Sequence, residues 1–287
     1  MHWQTARFRI DLTQPLVMGI VNVTPDSFSD GGHHASADAA RRHCDQLVAE
    51  GAEILDIGGE STRPGAPPVP ADEELARVLP VLRHALSLGV PVSIDTCKTA
   101  VMREVLALGA DIINDVRALA DEGAIDVLAA QPKAGVCLMH MQGTPLTMQV
   151  DPRYGGDVVA EVAGFLGARA QTLREHGIAA ERIVLDPGIG FGKTVQHNFA
   201  LLARQRELTA LGYPLLLGWS RKSSLGAATG REVGDRLIPS VAAAVLAVER
   251  GARIVRVHDV AATVDALKVW QSASAGTMQP SQNDDRS

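Results

Sequence analysis

This sequence predicts an α/β protein built as a single closed eight-stranded parallel barrel, the (β/α)8 TIM barrel, on three observations. Eight short apolar runs recur along the chain, segments of helical periodicity lie between them, and the 287 residues suit the roughly 250 of one such barrel. The runs are LVMGIV (16–21), EILDIG (53–58), PVSID (91–95), DIIND (111–115), GVCLMH (135–140), RIVLD (182–186), PLLLG (214–218) and RIVRVH (253–258). They are near-continuously apolar, the pattern of strands buried on both faces of a parallel sheet. Between them, stretches such as DEELARVLPVLRHALSLG and VVAEVAGFLGARAQTLREHG read as covering helices. Gly51, Gly89, Gly109, Gly177 and Gly251 each follow such a stretch just before the next strand, where a helix C-cap is expected. An open, doubly wound sheet is the rival arrangement, but it would normally use fewer strands.

The barrel is expected over residues 15–272, with no second domain. Residues 1–14 are read as a small hairpin capping its base. The last fifteen residues, 273–287, are polar and poor in apolar side chains, and are expected to be a disordered tail.

Composition narrows the function. Apolar residues make up 46 % of the chain but aromatics only 3 %, so Ala, Val, Leu and Gly fill the core. A formal charge of −6 without a run of Lys or Arg argues against nucleic acid or an anionic membrane surface as partner. No apolar stretch reaches the roughly 18 residues of a membrane span, and MHWQTARFRIDL has no apolar signal core. Cys44, Cys97 and Cys137 are odd in number and lack C-x-x-C spacing, which points to neither a disulfide framework nor a zinc site. A soluble, cytoplasmic protein is expected.

Chemistry in such barrels sits at the C-terminal strand ends. Those positions here carry Asn22, the segment Gly59 to Gly65, Asp95-Thr96, Asn114-Asp115, Met139-His140-Met141, Asp186-Pro187-Gly188, Ser220-Arg221-Lys222 and Arg256-Val257-His258. Eight polar or ligand-packing strand ends converging on one mouth imply a site. Asp95, Asn114, Asp186 and Lys222 mix donors and acceptors without a nucleophile, which suits the edge of a flat, nitrogen-rich heterocycle. A buried carboxylate such as Asp186 can accept two parallel N–H bonds from a 2-amino-pyrimidinone edge. Either aspartate could instead cap the helix that follows. Arg63, Arg256 and His258, joined by the amide of Asn22, form a cationic set of the kind that receives anions at a barrel mouth. Taken alone, Arg63 reads equally well as a solvated loop residue and His258 as an ordinary strand-end histidine. Arg256 interrupts the apolar run IVRVH, and an unpaired buried charge there would be costly, so it is expected to meet a carboxylate, an anion or a ring face.

Two other motifs do not hold. DPGIGFGKT (186–194) resembles a phosphate loop, but Pro187 stands where the first glycine is required, and Lys193 occupies the third glycine position of a dinucleotide fingerprint. No G-x-S-x-G elbow occurs, and Cys97 has no obvious base.

Together, MGIVNVTPDSFSDGG (18–32), GGESTRPGA (58–66), SIDT (93–96), INDV (113–116), LDPGIGFGK (185–193), SRKS (220–223) and RVHDV (256–260) resemble the dihydropteroate synthases of folate biosynthesis, the sulfonamide target. The resemblance runs from about residue 15 to residue 272. It implies condensation of 6-hydroxymethyl-7,8-dihydropterin diphosphate with p-aminobenzoate, releasing diphosphate and giving 7,8-dihydropteroate. It implies a pterin pocket of Asp95, Asn114, Met139, Asp186, Lys222 and Arg256, with Arg256 stacked on the ring. It implies a diphosphate site of Asn22, Arg63, Arg256 and His258, with Asn22 also the ligand of a Mg2+ ion. The implied p-aminobenzoate pocket is Phe28, Thr62, Pro64, Phe191, Lys222 and Ser223, and the catalytic set is Asp95, Lys222, Arg256 and His258.

The residue chemistry agrees with this. An electrophilic CH2 on an electron-rich pterin lets C–O cleavage precede amine attack, so the protein must stabilise a departing polyanion and a delocalised cation. Neither task needs a covalent nucleophile or a strong base. The loop NVTPDSFSDGG is then expected to act as a gate, with Phe28 as its apolar lid. A silent homologue that only binds a pterin would have lost the loops or the cations, which are present. A pterin-dependent methyltransferase module would lack both loops and would work beside a corrinoid domain. The resemblance, with apolar Ala/Leu helices such as PSVAAAVLAVERGA, leads us to expect a homodimer, although packing on the barrel explains such helices equally well.

Overall fold

The structure is a computed structural model that describes residues 1–23, 32–62 and 65–276. Strands β3 (Leu16–Asn22), β4 (Ile54–Gly58), β5 (Val92–Asp95), β6 (Ile112–Asp115), β7 (Gly135–Met139), β8 (Ile183–Asp186), β9 (Leu215–Leu217) and β10 (Ala252–Val257) close into one parallel barrel. Their order is β10-β3-β4-β5-β6-β7-β8-β9, so each strand pairs with its neighbour in sequence and β10 returns to β3 through Arg256 opposite Met18. Each predicted apolar run overlaps its strand, β3 running one residue further to Asn22 and β10 starting one residue earlier at Ala252.

The covering helices are α1 (Gly32–Ala49), α2 (Ala71–Ala85), α3 (Thr99–Ala107), α4 (Ala124–Ala129), α5 (Val158–Glu175), α6 (Val195–Ala203), α7 (Gln205–Thr209), α8 (Ser223–Thr229), α9 (Leu237–Glu249) and α10 (Val260–Gly276). Their starts follow local chemistry. Asp157 accepts the Val159 N–H at 2.9 Å to cap α5, and Thr194 and His197 cap α6 reciprocally, each satisfying donors that a helix N-terminus leaves over. At the end of α9, Gly251 adopts φ +99°, a backbone that other residues rarely take, and turns the chain straight into β10. Helix α10 continues to Gly276, so residues 273–276 are helical where composition reads as disordered tail; an Ala-Ser-Ala extension prolongs a helix already nucleated upstream. Residues 277–287 lie outside the described residues. Among the described residues no helix is long and apolar enough to cross a membrane.

Strand side chains alternate between the helix layer and the barrel interior. Outward-facing Leu55, Ile57, Ile94, Ile113, Val136, Leu138, Leu185, Leu217 and Val255 join the main core with the helices. Inward-facing Met18, Ile54, Ile112, Cys137, Val184, Leu216 and Ile254 make a separate apolar layer across the barrel. Below that layer, β1 (His2–Gln4) and β2 (Arg9–Asp11) pair antiparallel. Trp3, fully buried, packs into the base and donates its indole N–H to the Arg182 carbonyl at 2.9 Å. Two residues further along, the inward position turns polar on β4, β6, β8 and β10, where Ile54 is followed by Asp56, Ile112 by Asn114, Val184 by Asp186 and Ile254 by Arg256, while on β7 Cys137 is followed by Met139. A polar layer thus sits on an apolar floor, one pleat below the mouth.

Candidate active site

Arg256 lies at the centre of the polar layer. Its Nε donates to Asp56 Oδ2 at 2.5 Å and a terminal nitrogen to Asp95 Oδ2 at 2.8 Å, while Asn114 Nδ2 donates to the same Asp56 oxygen at 3.0 Å. The expectation that Arg256 meets a carboxylate is met by two of them. With two of its nitrogens tied down, the flat guanidinium face can take a stacked ring and the remaining terminal nitrogen can meet an anion. Burial opposes its charge, but Asp56 and Asp95 more than offset that and raise its pKa.

The other groups of this layer are held away from their ordinary ionisation. Burial pushes the Asp186 carboxyl up to about 6, against the Gly188 N–H that its Oδ1 accepts at 2.7 Å and the charge of Lys222. That bond realises part of the capping alternative, because Asp186 does organise the turn that follows it. Burial also raises Asp95, with Arg256 opposing and Asp56 reinforcing. Lys222 is lowered to about 8 by burial and by Arg256, with Asp186 and Asp95 working the other way. Its ammonium stands 4.2 Å from the centre of the Phe191 ring, in cation–π range. Met139, 4 % exposed, pairs in register with Asp186. Asp95, Asn114, Met139, Asp186, Lys222, Arg256 and Phe191 therefore form one connected group.

The remaining predicted residues sit around this group. His258 Nδ1 lies 2.9 Å from Ser220 Oγ, which also accepts the His258 N–H at 3.1 Å. Asn22 ends β3 half-buried, opposite Gly58 in the register. Thr62 is half-buried in the loop after β4, and Ser223 opens α8 exposed to solvent. Phe28, Arg63 and Pro64 lie outside the described residues, as does the loop that was expected to act as a gate.

Among the described residues no three His, Cys, Asp or Glu side chains are grouped as a metal cage. Asn22 supplies a hard amide oxygen. Such a donor fits a Mg2+ that keeps waters and takes its other oxygens from a substrate diphosphate. Burial, then Asp115, pushes the Cys97 thiol up to about 12, which disfavours a thiolate there.

Three parts of the site escaped the sequence reading. Asp56, fully buried, organises Arg256 and Asn114, and its Oδ1 has no hydrogen-bond partner among the described residues; its signal is a lone acid inside the apolar run EILDIG. Lys98 bridges Glu60 and Glu74, at 2.5 Å each. Glu60 Oε1 also accepts the Val69 N–H at 2.8 Å, so this bridge ties down the stem of the loop that carries Thr62. Lys193 is buried against His140, a placement that no motif reveals.

A parallel barrel whose mouth buries cations, carboxylates and an amide, without a nucleophile, defines an enzyme that recognises a polar heterocycle and stabilises charge. The family of pterin binding enzymes matches residues 18–258. The dihydropteroate synthase of Neisseria meningitidis serogroup B is 57 % identical over 276 residues, covering 94 % of this chain and 96 % of that protein. Among solved structures, Burkholderia cenocepacia dihydropteroate synthase complexed with 7,8-dihydropteroate has a TM-score of 0.88 at 53 % identity, covering 97 % of this chain and 98 % of its own. The Yersinia pestis dihydropteroate synthase with a sulfonamide drug complex has a TM-score of 0.90 at 45 % identity, covering 96 % and 100 %. The chain belongs to the pterin binding enzymes, among the dihydropteroate synthases.

Proposed function

We propose that this chain condenses 6-hydroxymethyl-7,8-dihydropterin diphosphate with p-aminobenzoate to give 7,8-dihydropteroate and diphosphate, a step of folate biosynthesis. The observation that carries this reading is the Asp56–Arg256–Asp95 bridge, with Asn114 on the same Asp56 oxygen, at the mouth of the barrel. It is a preformed floor for one flat, polar ring. The synthase relatives and the dihydropteroate-bound structure support it.

In this reading Asp186 and Asn114 hold the pterin edge, and the Arg256 face lies against the ring with Met139 beside it. Asn22, Arg63, Arg256 and His258 receive the diphosphate. Ser220 Oγ accepts the His258 backbone N–H and lies 2.9 Å from its Nδ1, which holds the ring in place at the mouth. As the C–O bond breaks, positive charge spreads from the CH2 into the ring, and the fixed Asp95 carboxylate favours it while the cations hold the leaving group. Asn22 would hold Mg2+, which supplies charge neutralisation to the departing diphosphate. The amine of p-aminobenzoate, seated among Phe28, Thr62, Pro64, Phe191, Lys222 and Ser223, then attacks. It is weakly basic, so no strong general base is required.

Sulfonamides are read as competitors for the aryl amine half-site, in line with the sulfonamide-bound Yersinia pestis relative. The protein is read as a cytoplasmic homodimer. Leu237, Ile238 and Leu246 of α9 and Val269 of α10 are exposed apolar residues that such an interface would cover; a lone monomer in sedimentation at micromolar concentration rules it out. The activity is tested by incubating the folded chain with both substrates and Mg2+. Dihydropteroate forming in step with diphosphate is the expected result, and no product from folded protein overturns the reading.

A further inference from the structure

Lys193 is the lysine of the motif that failed as a phosphate loop, and the proposed chemistry leaves it unused. It is only 2 % exposed. Its ammonium reaches three acceptors: His140 Nδ1 at 2.9 Å, the Phe191 carbonyl at 3.0 Å and the His140 carbonyl at 3.3 Å. Three donors meeting three acceptors satisfy a lysine without a carboxylate partner. His140 accepts because burial, then Lys193, pushes its pKa down to about 3 and keeps the ring neutral.

The turn that Lys193 grips is fastened along its whole length. Gln149 Nε2 donates to the Gly190 carbonyl at 2.6 Å, and Tyr154 donates to the Gly192 carbonyl at 2.8 Å. Gly190 N donates to Asn198 Oδ1 at 2.8 Å. Three successive carbonyls, at positions 190, 191 and 192, thus each receive a side-chain donor, and the one on Phe191 is Lys193. The glycines allow the close approach: a Cβ on Gly188 would be driven into the His140 carbonyl oxygen, and one on Gly192 into that of Gln142. Beyond this fastened backbone the Phe191 ring lies against the Lys222 ammonium.

We propose that Lys193 is a positioning residue for the p-aminobenzoate half-site, acting through the Phe191 carbonyl to set the Phe191 ring beneath Lys222. The proposal rests on reading the chain as a dihydropteroate synthase with Phe191 in that half-site. It separates the two substrates. The pterin floor hangs from Asp56, Asp95 and Arg256, on other strands, and Asp186 keeps its own bond from Gly188 N at the start of the turn, so loosening the Phe191 end falls mainly on the aryl amine.

The test is steady-state kinetics of K193M, with each substrate varied in turn. Removing the side-chain donor that the described residues offer the Phe191 carbonyl is expected to raise KM for p-aminobenzoate roughly tenfold. KM for the pterin diphosphate is expected to stay within about twofold. H140A removes one acceptor and leaves Lys193 two carbonyls, so the same KM should rise less, by roughly threefold. Equal changes in both KM values, or none in either variant, overturn the proposal. If K193M does not accumulate folded, H140A decides alone. A wild-type protein that makes no dihydropteroate sinks the functional reading itself, a result distinct from either.

Discussion

The two ends of the barrel handle buried charge in opposite ways. At the base, Asp111 spends both oxygens: Oδ1 takes the Arg7 N–H at 3.0 Å, and Oδ2 takes Val92 N at 2.9 Å and Arg7 at 2.6 Å. Arg182, 3 % exposed, gives its guanidinium to the Ala134 and Leu128 carbonyls at 2.7 and 2.9 Å. Trp3 closes the opening. At the mouth, Asp56 keeps an oxygen without a partner among the described residues, carboxylates crowd one guanidinium, and Asp95, Asp186 and Lys222 are displaced toward their neutral forms. Burial at the base is matched by local partners and serves stability. Burial at the mouth is left incompletely matched, as expected where a ligand completes the hydrogen bonding.

The contrast breaks most sharply at Arg256. R256M leaves Asp56 and Asp95 without a counter-charge and removes the ring face, so kcat/KM for the pterin diphosphate should fall about a thousandfold, measured as diphosphate release from protein verified as folded. An activity within tenfold of wild type would place the ring elsewhere. At the other end, W3A empties a fully buried indole site and should cost about 3–5 kcal/mol in urea unfolding, while the kcat/KM of the remaining folded protein stays within about twofold. A selective loss of turnover would show that base and mouth are not separable.

A smaller effect sharpens the comparison through pH. Asp186 has its folded pKa raised from 3.8 to about 6, so its contribution to stability is present below 3.8 and lost as pH rises through 6. Lys222 has its folded pKa lowered from 10.5 to about 8, so its contribution is present above 10.5 and lost as pH falls through 8. Between pH 6 and 8 both are charged at a cost, yet that is the window in which a carboxylate and an ammonium are available to substrate. Activity should fall by about tenfold per pH unit above 8, and on the acid side as Asp186 and the likewise raised Asp95 take up protons. Ligand-free stability should carry the opposite trend from these two groups, and D186N should flatten the acid limb. An acid limb unchanged in D186N would assign it to Asp95 instead.

The barrel was legible because buried parallel strands must read as short apolar runs, and eight runs leave few other closures. Arg256 was legible for a related reason: a charge inside RIVRVH cannot be ignored. Asp56 interrupts EILDIG in the same way, two residues before the end of its strand, so a reading of strand ends does not reach it. Its parity with Ile54, which puts both inside the barrel, was the available signal. Lys193 was not legible as an anchor, since its three acceptors are a histidine nitrogen and two carbonyls brought together only by folding. The continuation of α10 to Gly276 shows the reverse limit, because tail composition does not say where a helix already in progress will stop. Phe28 and Pro64 rest on the resemblance alone, and Arg63 on the cationic set at the strand ends and the resemblance.

The central claim is that the polar layer above the apolar floor reads one flat heterocycle, with Asp186 at its edge and Arg256 at its face. A crystal structure of the protein with the pterin diphosphate and Mg2+ tests it most directly. The account predicts the amino edge of the ring within hydrogen-bonding distance of Asp186 and Asn114, the ring lying on the Arg256 guanidinium, and the metal bound by Asn22 and the diphosphate. A ring bound away from Asp186, with the Asp56–Arg256–Asp95 bridge untouched by ligand, would contradict it.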